Sequence, residues 1–507
     1  MRRSTLILLV GAIVTLIISV PARAETSDEP PPLPREFRGA WVASVNNGGW
    51  PPDPGMTADA QKKEAIRRLD RAVELKLNAI VFQVRPCADA LYRSDIEPWS
   101  EYLSGTQGRD PGYDPLQFWI EEAHKRGLEL HAWFNPYRAK HQQSKSPVAP
   151  NHISKTLPEV VKQYDGYLWM DPGEPKAVQQ SMAVFLDVVK RYDIDGVHMD
   201  DYFYPYRGKE NKEFPDDPSW ERYKASGGKL ARNDWRRDNV NQFMEKLYVE
   251  SHKLKPSIKV SVAPFGIWRP NYPAGIEGLD QYDVLYADAK KWLNEGWLDF
   301  FSPQLYWPIE GKQSFTKLLD WWLKENHKNR YVWPGMSVGR YMKGNTLSME
   351  VPNQLAAIRR APGEDGFIIW PLDRLLDDSP LINRLKSNEF SQAALVPSFP
   401  WLDNKPPMKP GAKLVGRGDN ASVTITRPNG AKNTDVFVYA IQAKFKDAWK
   451  FAVVPGTMDK VPTEGATAIA ISAVDRLGNA SDRVIVKVPG AKGVGPTTAP
   501  TSAAIAR

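Results

Sequence analysis

The segment Gly196-Val197-His198-Met199-Asp200-Asp201-Tyr202 carries the sharpest chemical signal in the chain. Written as a strand, it puts His198, Asp200 and Tyr202 on one face and Val197, Met199 and Phe203 on the other. The apolar face suits packing, so the polar face must serve something else. A carboxylate there is costly to bury and is not a packing residue. Two carboxyl groups held in different protonation states are the equipment of acid–base chemistry. Asp200 is the first candidate and the adjacent Asp201 the second, although strand neighbours point to opposite faces unless the chain bends between them. A salt bridge to an arginine such as Arg85 is the competing, purely structural reading of either aspartate.

Other short apolar runs also end in polar or aromatic residues. Gln83 and Arg85 share a face at the end of one. His131, Trp133 and Asn135 share a face in the next, followed by Tyr137 and Arg138. Gln304, Tyr306 and Trp307 end another, and Trp370 ends the last, with Asp373 just beyond. Amides, rings, arginines and carboxylates gathered in one place suit a sugar, whose hydroxyls take polar partners and whose apolar faces stack on aromatic rings. The expected substrate contacts are therefore His198, Tyr202, Gln83, Arg85, His131, Trp133, Asn135, Tyr137, Arg138, Gln304, Tyr306, Trp307 and Trp370. Asp53, Asp288, Glu310 and Asp373 are alternative partners for Asp200. His131, His198 and Asp200 could in principle ligate a metal, as in a deacetylase or amidase. No H-x-H or H-E-x-x-H cluster supports that, so no metal and no cofactor is expected.

These positions need a scaffold that brings strand ends together. Strand-like runs at 37–44, 78–85, 129–135, 196–202, 259–265, 299–307, 331–338 and 366–370 alternate with helical patterns such as 58–75, 115–126, 175–192, 234–254 and 315–325. Eight alternations predict an α/β fold, a (β/α)8 TIM barrel, which places its chemistry at the C-terminal ends of its strands. A doubly wound sheet would need a glycine-rich turn after its first strand, and none is present. Beyond 395 the helical period stops. Pro397 to Pro410 is rich in proline, and the period-2 runs after it predict a small all-β sandwich domain.

The predicted organisation is a signal peptide at 1–24, a Pro-rich spacer at 25–34, the barrel at 35–395, a Pro-rich linker at 396–410, the sandwich at 411–490 and a disordered tail at 491–507. Arg2 and Arg3, the apolar run 6–20 and Ala22-Arg23-Ala24 read as a cleavable leader. Export to the periplasm or the extracellular space, with no stable membrane anchor after cleavage, is the expectation. Of the 507 residues, 42% are hydrophobic and 25% charged, an ordinary globular balance. The net charge of +7 includes three leader arginines and forms no basic run, so nucleic acid is excluded as a partner. The lone Cys87 rules out internal disulfides and multi-cysteine zinc sites. The 18 tryptophans are more than a typical chain of this length carries, and several fall at strand ends.

The motifs FRGAWVAS (37–44), FQVRP (82–86), HAWFNPYR (131–138), DGVHMDDYFYP (195–205) and DFFSPQLYW (299–307) resemble the glycosyl-hydrolase-like family 10 of bacterial envelope proteins, over about 35–385. That resemblance implies a secreted barrel glycosidase acting on cell-wall glycan, in particular peptidoglycan strands stripped of their stem peptides. AISAVDRLGNAS (470–481) resembles a fibronectin type III module, expected to serve spacing or wall attachment, so that deletion after Pro400 leaves cleavage of a soluble substrate largely intact. The fourth strand also resembles D-G-x-D-x-D-x-E of family-18 chitinases, but Tyr202 stands where the catalytic glutamate would be. The amylase-type G-x-R-x-D is similar too, with His198 at the arginine and Asp200 at the nucleophile. An N-acetylated substrate could supply its own nucleophile, and a degenerate barrel would bind glycan without cutting it.

Overall fold

The computed structural model describes residues 28–494 except 209, 343–347, 364–365, 428–435 and 447. The expected leader at 1–24 and the expected tail from 495 onward lie outside the described residues. No helix among those described is long and apolar enough to cross a membrane.

Nine parallel segments form one sheet. In chain order they are β1 (Phe37–Val42), β2 (Ala79–Arg85), β3 (Glu129–Phe134), β4 (Gly196–Met199), β5 (Lys259–Val262), β6 (Phe300–Phe301), a two-part β7 (Tyr331–Val332 and Gly335–Ser337) and β8 (Gly366–Trp370). The first part of β7 pairs with β6 and the second with β8, while β8 pairs with β1. Only Trp333-Pro334 separates the two parts. Pro334 has no N–H to give to a ladder, so the strand breaks there. Trp333 N donates to Phe301 O at 2.8 Å and Gly335 N to Pro303 O at 2.9 Å, which carry the sheet across the break. The result is the expected (β/α)8 barrel, closed through a split seventh strand.

Each strand is followed by a helix: α1 (Ala58–Glu74), α2 (Pro115–His124), α3 (Pro175–Arg191), α4 (Arg232–Leu254), α5 (Ala289–Glu295), α6 (Phe315–Lys324), α7 (Glu350–Arg360) and α8 (Pro380–Ser387). Several begin on side-chain caps. Asp114 accepts from Gln117 N ahead of α2, Asp288 from Lys291 N ahead of α5 and Ser379 from Ile382 N ahead of α8. The loop after β3 carries a three-stranded antiparallel sheet that periodicity did not reveal: Arg138–Lys140, Val161–Tyr164 and Tyr167–Met170. Its hairpin turns on Asp165-Gly166, both at positive φ, the two-residue D-G signal for such a turn.

The second domain has a three-stranded sheet (Gly411–Val415, Ser422–Thr426, Lys460–Pro462) and a four-stranded one (Val438–Phe445, Ala448–Pro455, Ala468–Val474, Val484–Lys487). Val423, Ile425, Ile441, Phe445, Ile469 and Ile471 belong to one core shared by both sheets, so this is a sandwich. It docks on the end of the barrel where the strands begin. Arg476 pairs with Asp195 at 2.6 Å and Asp193 at 2.5 Å, in the turn before β4. Leu477 joins Phe37, Phe300, Trp333 and the fully buried Phe399 in the cluster that fills the barrel's floor. The first part of the proline-rich 396–410 stretch is therefore packed under the barrel, with Trp401 Nε1 donating to Asp299 Oδ1 at 2.8 Å.

Candidate active site

The C-terminal ends of the strands surround a cavity of about 300 Å3 lined by residues from seven of them or from the loops that follow. The fourth strand supplies its chemistry. Regular pairing stops at Met199 and the chain bends at Asp201, so Asp200 and Asp201 both line the cavity instead of pointing to opposite faces. Asp200 is 7% exposed and Asp201 4%. No other carboxylate among the described residues lines this cavity.

The two carboxyls have different partners. Asp200 Oδ1 accepts from Asn135 Nδ2 at 2.6 Å and from Tyr202 N at 3.3 Å. Asp201 Oδ2 accepts from the Tyr206 hydroxyl, and Gln304, whose Nε2 donates to Ala263 O at 2.9 Å, lies beside the same carboxyl. Burial first, and then the neighbouring Asp201, push the Asp200 carboxyl up to about 7, against the opposing pull of Arg138 and Asn135. Burial raises Asp201 as well, opposed by Tyr206 and Gln304. Burial likewise raises the phenols of Tyr202, Tyr206 and Tyr306, with the two aspartates adding to it, so all three remain hydroxyl donors.

Behind this pair runs a chain of amides. Gln83 Oε1 accepts from the backbone N–H groups of Ser44 and Val45, both at 2.9 Å. That orients Gln83 Nε2 to donate to Asn135 Oδ1 at 2.6 Å, and Asn135 in turn donates to Asp200. Arg138 Nη2 donates to the same Asn135 oxygen at 2.6 Å. The amide of Asn135 is thus fixed in one orientation by three partners. Trp41, Trp133, Trp370 and Tyr306 form the aromatic wall, with Trp370 edge-on to Trp41 and Trp133 at centroid distances of 6.5 and 6.2 Å. The buried Trp133 indole N–H has no partner among the described residues.

Of the residues expected from sequence, Asp200, Asp201, Tyr202, Gln83, Trp133, Arg138, Gln304, Tyr306 and Trp370 line the cavity. Asn135 lies directly behind it. His198 lies below, where Nε2 accepts from Trp41 Nε1 at 3.0 Å and Nδ1 meets Ser261 Oγ at 2.8 Å. Burial holds this imidazole well below its usual range, so it is neutral and positions Trp41 instead of touching a ligand in the cavity.

Four expected contacts lie elsewhere. Arg85 is drawn off by a register shift between Gln83 and Arg85 that interrupts the alternation of β2. It forms a buried pair with Glu97 through two hydrogen bonds of 2.8 and 2.5 Å. His131 faces inward, but one pleat too low. Its Nε2 pairs with Glu129 at 2.9 Å, and Glu129 also accepts from the buried Lys259. A Cβ at residue 196 would lie 2.0 Å from His131 Nδ1, so Gly196 is what makes room for the ring. Tyr137 follows the turn at Pro136 and packs against Phe243 at 5.6 Å. Trp307 packs on Phe265 at 5.5 Å, outside the cavity lining.

The alternative carboxylates are likewise engaged: Asp53 accepts from Gly55 N, Asp288 caps α5 and Asp373 pairs with Arg68 at 2.5 Å, while Glu310 is exposed. Sequence reasoning missed Trp41, His141 and Tyr206. Trp41 was accessible from the alternation Phe37, Gly39, Trp41. His141 and Tyr206 sit in loops, where no period points to them. Burial, then Arg138, lower His141 to about 4, so it too is neutral.

Residues 36–341 match the family model described as glycosyl hydrolase-like 10. The glycosyl hydrolase YngK of Bacillus subtilis (strain 168) is 39% identical over 461 residues, 87% of this chain and 88% of that protein. The glycosyl hydrolase DigH of Escherichia coli (strain K12) is 35% identical over 325 residues, 60% of this chain and 71% of that protein. Among solved structures, the catalytic domain of β-amylase from Paenibacillus polymyxa is similar at a TM-score of 0.47 and 13% identity, over 71% of this chain and 99% of that domain. The match to the family model and the extent of the likeness to YngK agree: the chain belongs to the glycosyl hydrolase-like 10 family.

Proposed function

We propose that this glycoside hydrolase cuts the glycan of the bacterial cell wall outside the cytoplasm, with Asp200 as proton donor and Asp201 as the charged partner. The observation that carries this reading is a pair of adjacent carboxyls, both raised by burial, in an aromatic-walled cavity. Burial raises Asp201 as well, but the Tyr206 hydroxyl that it accepts from favours its anion. Asp200 is pushed up to about 7 and so holds a proton near neutrality. Glycoside hydrolysis asks for that division: an acid to protonate the leaving oxygen and a carboxylate to meet the charge that develops at the anomeric carbon. The tryptophans supply faces for pyranose rings, and the leader-like 1–24 supports action beyond the membrane. Glycan strands stripped of stem peptides are the substrate we infer from the family likeness and from the curated relatives' description as glycosyl hydrolases.

The test is digestion of peptide-free glycan strands, with products identified by mass spectrometry. The wild-type chain is expected to release fragments with reducing ends. Asp200→Asn should lower kcat by about 10^2- to 10^4-fold, the usual worth of a positioned acid or base. A folded Asp200→Asn chain that turns over at the wild-type rate defeats the assignment.

A further inference from the structure

Seven arginines among the described residues are buried, and six of them have a carboxylate within ion-pair distance. Arg85 on Glu97 and Arg236 on Asp216 are typical. The exception is Arg138, which is 3% exposed and is the one that lines the cavity. Its Nε donates to Pro86 O at 2.9 Å and its Nη2 to Asn135 Oδ1 at 2.6 Å, both neutral oxygens. Nη1 donates to no protein atom among the described residues. The ring of Tyr202 covers one face of the guanidinium at 4.9 Å, which leaves the edge for hydrogen bonding. Neither Asp200 nor Asp201 is within ion-pair distance of it.

With the nearby aspartates beyond ion-pair distance, the guanidinium keeps an edge on which an anion can form a direct pair. The planar fork of arginine matches a carboxylate through two parallel hydrogen bonds. We propose that Arg138 reads a free carboxylate on the sugar that occupies the cavity, making it a specificity-determining residue for an acid-bearing glycan over the same glycan with that acid tied up as an amide. The proposal rests on the cell-wall reading above, in which removal of the stem peptides frees one carboxylate on each peptide-bearing sugar. It also has a consequence for the acid. Arg138 pulls both aspartates toward their charged forms, and a bound carboxylate would cancel that pull and keep Asp200 protonated.

The test is binding, using the full chain and two probes that differ only in this group: N-acetylmuramic acid and its methyl amide, titrated calorimetrically or by NMR. The wild-type chain should prefer the acid by about tenfold or more, the usual worth of a charge-assisted pair. Arg138→Gln should bind both probes equally, and Arg138→Lys should keep part of the preference. Equal affinity of the wild-type chain for the two probes overturns the proposal, even if every variant proves unstable. So does a preference for the acid that survives intact in Arg138→Gln. Because no bond is cut, the result is independent of hydrolysis: a chain that prefers the acid but releases nothing from glycan strands would sink the cell-wall reading and leave the role of Arg138 standing.

Discussion

Asp200 illustrates how a single residue can work against the fold that holds it. Its carboxyl is raised from an ordinary 3.8 to about 7 by burial and by Asp201, so the folded chain prefers it protonated. A raised carboxyl stabilises the fold below its unfolded value, and that contribution is lost as the pH climbs through the folded value. Two outcomes follow, in opposite directions. Activity that depends on protonated Asp200 should decline as the pH rises through about 7. Asp200→Asn, slowed by the reasoning above, should melt higher than the wild-type chain near about pH 8, with the gain shrinking toward about pH 4. Scanning calorimetry of both chains across that range checks the second outcome, and equal melting temperatures at the alkaline end would argue against it. Its place in the cavity was legible beforehand, because a carboxylate on the polar face of a strand end has few uses in packing. What could not be read was its coupling to Asp201, which depends on a bend after Met199 that alternation cannot foresee.

At the scale of elements, period-2 reasoning succeeded wherever a strand stayed regular and failed at its irregularities. Trp133 and Asn135 kept the face that β3 assigns them. Arg85 did not, because the register shift in β2 re-aims it. His131 kept its face but not its height, since alternation says which side a residue is on and nothing about depth along the barrel. The run 331–338 was read as one strand, whereas Pro334 splits β7 and long-range pairing closes the sheet across the break. The displaced Arg85 has its own testable weight. Arg85 and Glu97 are both almost completely buried, and removing one partner strands the other. Glu97→Gln is expected to cost about 3–5 kcal/mol, the range for breaking a buried pair, and denaturant unfolding should show it as a lower midpoint. An unchanged midpoint would mean that the pair can be replaced by neutral hydrogen bonds.

For the whole molecule, the two domains share one structure at the barrel floor. The sequence suggested a Pro-rich linker and a dispensable sandwich domain, because proline-rich stretches usually stay solvated. Phe399 and Leu477, however, fill the space under Phe37, Phe300 and Trp333, and Lys259 Nζ donates to Arg476 O as well as to Glu129. A chain cut after Pro400 would uncover that cluster and leave Asp195, whose side chain is 1% exposed, without Arg476. We therefore expect the truncated barrel to melt well below the full chain and to lose activity through instability, and Phe399→Ala alone to cost about 3–5 kcal/mol. Thermal melts of both chains are the check, and a truncated barrel as stable as the full chain would restore the spacer role. The same docking fixes where the described chain enters and leaves. Arg483 and Gln442 donate to the carbonyls of Pro30 and Pro31, strapping the first described residues to the sandwich, and Gly493 N bonds Gly465 O within it. Both ends thus depart from the foot, at the pole opposite the cavity. A bead or sensor chip coupled through either end would grip the molecule like a tool by its handle, with the cutting mouth facing the solution.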